Sequence, residues 1–82
     1  MVTLLFFARY REWAGVPSLQ LQQAPASLAA LREILPASHP ATSRILQDPR
    51  CIVAVNRMVV SEADVVLRPG DEVAFYPPVT GG

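Results

Sequence analysis

The chain has 82 residues, of which 51% are hydrophobic, and its seven basic and seven acidic side chains cancel. That is the length of one domain, too apolar for a disordered tail, and it lacks the net positive charge on which non-specific nucleic-acid binding runs. No apolar run approaches the ~20 residues that a membrane-spanning helix needs. The start, MVTLLFFARY, has no basic residue before its apolar run and no small-residue cleavage site after it, so it reads as a strand rather than a signal peptide and a cytoplasmic location is expected.

In chain order, VTLLFF at 2–7 is β-branched, aliphatic and aromatic and predicts a strand. Val2, Leu4 and Phe6 share one face and Thr3, Leu5 and Phe7 the other. ARYREWAG breaks the pattern and reads as a long loop ending at Gly15. SLQLQQ alternates apolar and polar residues, predicting a half-buried second strand that pairs with the first. Ser27 is a good N-cap, and Leu28, Leu31, Ile34 and Leu35 recur at helical spacing, with Pro36 expected to end the helix. A short second helix is expected within 41–47. CIVAVN at 51–56 reads as an inner strand, Asn56-Arg57 as a turn and MVV at 58–60 as a returning strand. Pro69 and Gly70 predict a turn, and EVAFY at 72–76 a last strand that Pro77 and Pro78 terminate. The order β-β-α-(short helix)-β-β-β predicts an α+β domain with one main helix across a mixed sheet, and it resembles the β-grasp fold of ubiquitin. The folded domain is expected over 1–76, with an extended tail over 77–82.

Few side chains carry chemistry. All seven basic residues are Arg, which excludes Schiff-base lysine chemistry and isopeptide acceptors. Cys51 is the one cysteine, so no internal disulfide can form. It opens an inner strand with little to activate it, and an inert thiol is the better reading. His39 lies in a loop between Ser38 and Pro40 with no partner to orient it as a base. Asp71 and Glu72 adjoin the Pro69-Gly70 turn, and neighbouring strand residues face opposite ways, so a turn role outweighs paired acid–base work. The Arg9, Arg11 and Glu12 cluster reads as a solvated loop, with partner docking as the alternative. No phosphate loop, catalytic triad or metal-ligand spacing is present.

Attention therefore falls on the last residues, PPVTGG. Pro77-Pro78 favours an extended exit from the last strand, and six extended residues reach about 20 Å. Gly81 and Gly82 lack side chains and can thread a channel that any Cβ would block. A C-terminal carboxylate on Gly82 would be the reactive group, becoming an acyl electrophile once adenylated. The bland alternative is a frayed end.

The stretches LLFFARYRE, VAVNR and PGDEVAFYPPVTGG resemble the small, sulfur-carrier subunit of molybdopterin synthase across nearly the whole chain, least well at 16–50. The resemblance implies a β-grasp fold and a Gly82 adenylated by a ubiquitin-activating-enzyme-like partner that uses ATP and magnesium. Sulfur then arrives as a thiocarboxylate, and the tail inserts into the large synthase subunit to thiolate cyclic pyranopterin monophosphate within a heterotetramer. This chain itself would bind no cofactor or metal. By position, Phe7, Val59 and Tyr76, with Arg11 as a polar addition, are the implied docking residues around the tail formed by Pro77, Pro78, Val79, Thr80, Gly81 and Gly82. Ordinary sheet packing is the competing reading of the first three. Two other classes remain open: a carrier serving thiazole synthesis or another thiolation pathway, and a non-covalent ubiquitin-like binding module.

Overall fold

In the computed structural model, which describes residues 1–61 and 64–78, the chain runs β1 (Val2–Phe6), α1 (Arg9–Ala14), β2 (Ser18–Leu21) and α2 (Leu28–Ser38). A 3-10 turn (Pro40–Thr42) follows, then α3 (Ser43–Leu46), β3 (Ile52–Val55), β4 (Met58–Val60) and β5 (Glu72–Tyr76). The strands form one sheet in the order β2-β1-β5-β3-β4. β1 and β5 are parallel at its centre and the other neighbours are antiparallel.

β1 behaves as its alternation predicts. Val2, Leu4 and Phe6 are buried on the helix-covered face, and Thr3 and Leu5 are half-buried on the other. Phe75 and Val73 of β5 and Val53 and Val55 of β3 share that inner face. Leu28, Leu31 and Leu35 of α2 close over them in one core. The α2 cap is as expected: Ser27 Oγ accepts the Ala30 N–H at 3.1 Å.

Three sequence expectations need correction. The supposed loop after β1 contains helix α1, whose Tyr10, Trp13 and Ala14 recur at helical spacing and pack on the core. Six residues are too few for that period to register against the polar residues between them. Gly15, at φ 81°, closes this helix and donates its N–H to Arg11 O at 3.0 Å. Second, Pro36 does not end α2, which runs on to Ser38. Pro36 lies in the final turn, so its missing N–H removes only the bond to the Arg32 carbonyl, and His39 N–H still reaches Leu35 O at 2.8 Å. Third, Ile34 is 50% exposed. It sits about 100° around the helix from Leu35, off the apolar stripe.

The turns follow their chemistry. Asn56 and Arg57 take φ values of 50° and 71°, the positive pair of a type I′ hairpin between β3 and β4. Pro69-Gly70, with Gly70 at φ 93°, forms the turn before β5, closed by Asp71 N–H to Arg68 O at 3.1 Å. Asp71 ties the two turns together: its carboxylate accepts from Asn56 Nδ2 at 2.9 Å and from Arg68 N–H at 2.9 Å. Those two bonds hold its carboxyl below the ordinary carboxylate range. One pairing was not anticipated. Leu67 N–H bonds Ala26 O and Leu28 N–H bonds Val65 O, bringing Leu67 into the core beneath the start of α2.

Leu31 and Phe75 are both fully buried. Truncating either to Ala should lower stability by roughly 2–5 kcal/mol in a urea melt. A change within measurement error would contradict this packing.

Candidate functional site

The β1–β5 register builds the site. Phe6 lies opposite Phe75, so the next residues, Phe7 and Tyr76, emerge side by side on the sheet face away from α2. Their rings stack with centroids 4.5 Å apart and 6° between planes. Phe7 N–H bonds Phe75 O at 3.2 Å, extending the ladder one residue past β1. Ile52 pairs with Tyr76 from β3, and Val59 of β4 lies beyond it on the same face, opposite Ala54. Together with Ala8, Arg9, Pro77 and Pro78, these side chains line an open, mainly apolar groove of about 590 Å³. Val59 is 71% exposed.

Phe7, Val59, Tyr76, Pro77 and Pro78, which sequence reasoning singled out, thus sit together. Arg11 does not line the groove. It is exposed on α1, and its Nε donates to Phe6 O at 3.5 Å. Val79, Thr80, Gly81 and Gly82 lie outside the described residues. Sequence reasoning missed Ile52 and Ala8, and it offered Arg9 for docking only as the lesser alternative. Ile52 was findable by pairing the third strand against the last. Nothing in the sequence marks Ala8.

Ala8 forms the corner of the groove. It adopts φ 52°, ψ −131°, and Tyr10 N–H closes on Phe7 O at 3.0 Å. These are the features of a type II′ turn, whose first central position favours Gly, so the Ala Cβ is strained. Below this corner, the buried Tyr10 donates its hydroxyl to Asp48 Oδ2 at 2.7 Å, while Asp48 Oδ1 accepts the Arg50 N–H at 3.0 Å. The Tyr10 bond first, and the Arg50 N–H second, hold the Asp48 carboxyl below its ordinary range. Burial, with Asp48 adding to it, pushes the Tyr10 phenol well above its own. This link pins α1 to the segment that leads into β3.

Cys51 is half-buried in a separate cavity of about 380 Å³, which Arg32 and Val60 also line. Burial pushes its thiol up, which favours the unreactive protonated form. His39 is half-buried between α2 and the 3-10 turn, where its carbonyl accepts from Thr42 Oγ1 at 2.7 Å. Among the described residues no group of three or more His, Cys, Asp or Glu side chains could hold a metal ion, and no helix is long and apolar enough to cross a membrane. The groove's lining is mainly apolar.

The ThiS family profile matches residues 4–82. The chain belongs to the ThiS family. It is 40% identical to the molybdopterin synthase sulfur carrier subunit of Escherichia coli over 82 residues, covering all of both chains. It is 35% identical to the human molybdopterin synthase sulfur carrier subunit over 85 residues, covering 99% of this chain and 93% of that one. The resemblance read from PGDEVAFYPPVTGG therefore extends over the full length. Among solved structures, the small archaeal modifier protein 1 of Haloferax volcanii superposes with a TM-score of 0.78 at 26% identity, covering 95% of this chain and 97% of that one. In fold, the chain also matches a complex of subunits 1 and 2 of molybdopterin-converting factor from Helicobacter pylori, with a TM-score of 0.71 at 23% identity and coverage of 99% and 97%. The fold is the ubiquitin-like β-grasp expected of the element order.

Two predictions follow from the groove's corner. Ala8→Gly relieves the strained turn, by about 1–3 kcal/mol, against about 0.4–1 kcal/mol of added unfolded-chain entropy. The variant should melt higher than wild type, and a lower melting temperature would contradict a strained Ala8. The second concerns acid. Asp48 and Asp71 have lowered pKa values in the fold, so their bonds support it fully above the unfolded value of about 3.9 and are lost as pH falls through the folded values. Tyr10→Phe removes the larger cause at Asp48, and it should shrink the stability difference between neutral pH and acid. An unchanged acid dependence would contradict that assignment.

Proposed function

We propose that this chain is the sulfur carrier subunit of a molybdopterin synthase. The observation that carries the reading is its 40% identity, across the whole of both chains, to the Escherichia coli subunit so named. The groove supports it: the residues leading to the tail lie in an apolar concavity a partner can cover. In this reading an adenylating enzyme of the ubiquitin-activating type, using ATP and magnesium, converts the Gly82 carboxylate to an acyl-adenylate and releases pyrophosphate. A sulfur donor displaces AMP, leaving a thiocarboxylate. The large synthase subunit docks over Phe7, Ile52, Val59 and Tyr76 while Pro77 and Pro78 direct the tail outward. Val79, Thr80 and the slender Gly81 carry the thiocarboxylate to cyclic pyranopterin monophosphate. Two transfers supply the dithiolene sulfurs, and two small subunits flank a large-subunit dimer. The pterin-handling side chains sit on the large subunit.

Intact-mass analysis after incubation with the activating enzyme, ATP and a sulfur source tests this. The expected result is a gain matching sulfur for oxygen at Gly82, abolished by one residue appended after it, with binding to the large subunit retained. No gain, or a gain mapping to Cys51, would sink the proposal. A carrier for thiazole synthesis would accept sulfur yet fail to deliver it through the large subunit.

A further inference from the structure

The chain is neutral overall but its charge is unevenly placed. Arg9 and Arg11 follow β1, and Arg50 precedes β3, so all three lie at the end of the sheet where the groove opens. Arg44 joins them from α3: its guanidinium carbon lies 3.8 Å from the centre of the Trp13 ring, and that of Arg9 lies 5.9 Å from the same ring. The acidic residues on the neighbouring elements are Glu12 of α1 and Asp48. Asp48 accepts the Tyr10 hydroxyl and the Arg50 N–H and keeps its charge, which offsets part of the field of Arg50 and Arg9. Asp71 and Glu72 lie at the opposite end, where β5 begins, and share it with Arg57 and Arg68.

The Trp13 contacts determine what these arginines can do. A guanidinium packed against an indole is held by cation–π attraction through its flat face, and its in-plane N–H groups stay available for a bidentate carboxylate. Stacking also removes part of the rotamer freedom a surface arginine would otherwise lose on binding. Arg9 lines the groove itself, and Arg44 is joined to it through the Trp13 ring that both guanidinium groups face. We propose that Arg9 and Arg44, held against Trp13, form a cationic rim that receives carboxylate side chains of the protein docked in the groove. The inference rests on the docking reading above and adds the partner's chemistry: an apolar patch bordered by acidic residues. Charges at such a rim act chiefly on the rate of encounter and on its salt dependence.

The test is stopped-flow association with the purified large subunit of molybdopterin synthase from the same source, across a range of ionic strength. Wild type should associate more slowly as salt rises. Arg44→Glu should slow association by about tenfold or more at low salt and flatten the salt dependence. Arg44→Gln should do so to a smaller extent, while Val59→Ala should speed dissociation and leave the salt dependence intact. If wild type binds but both Arg44 variants keep its association rate and salt dependence, the rim is overturned and the docking reading stands. If wild type does not bind the large subunit at all, both fall.

Discussion

The parallel pairing of β1 with β5 is the constraint on which the rest of the structure depends. It joins the two ends of the sequence at the centre of the sheet and sets Phe6 against Phe75 and Phe7 against Tyr76. One pair stacks inside the core at 5.5 Å and the other stacks outside at 4.5 Å. Each such pair adds about 0.5–1.5 kcal/mol beyond the area it buries. Because β5 lies between β1 and β3, its end cannot move without breaking two ladders. The chain leaving Tyr76 therefore has a fixed origin and initial course, as far as Pro78.

The two faces of the sheet do different work. The inner face carries Val2, Leu4, Phe6, Val53, Val73 and Phe75 and is sealed by α2. The other face is low at its middle, where Ala54 and Ala74 pair directly, and higher where Phe7, Tyr76, Ile52 and Val59 stand. An apolar face of this kind is what the proposed docking of a partner would cover. The segment from Arg9 to Gly15 gains a second meaning in this setting. As a helix pinned through Tyr10 and Asp48, it fixes the groove's corner at Ala8 and presents Arg9 beside Trp13.

Much of this was legible in the sequence because it rests on period-two alternation and turn chemistry. The inward set of β1, the Ser27 cap, the Asn56-Arg57 and Pro69-Gly70 turns and the end of β5 all have local causes. What could not be read depended on contacts distant in sequence. Helix α1 exists because Tyr10 and Trp13 find a core and an Asp48 supplied from α3's far side, not because six residues propagate a helix in isolation. The pairing of 65–67 with 26–28 is likewise decided by contacts distant in sequence. In the groove, Phe7, Val59 and Tyr76 came from the family resemblance, by position, and not from periodicity. Ile52 needed the β3–β5 register, and Ala8 carries a conformation its side chain disfavours.

The central claim is that the Phe7–Tyr76 face is where a partner covers the chain. Methyl and aromatic NMR on this protein during titration with the large synthase subunit tests it most directly. The prediction is that Ile52, Val59, Phe7 and Tyr76 signals shift or broaden at substoichiometric partner while Ile34, exposed on α2, stays unperturbed. Perturbation centred on Ile34 and the α2 surface, with the groove signals unmoved, would contradict it.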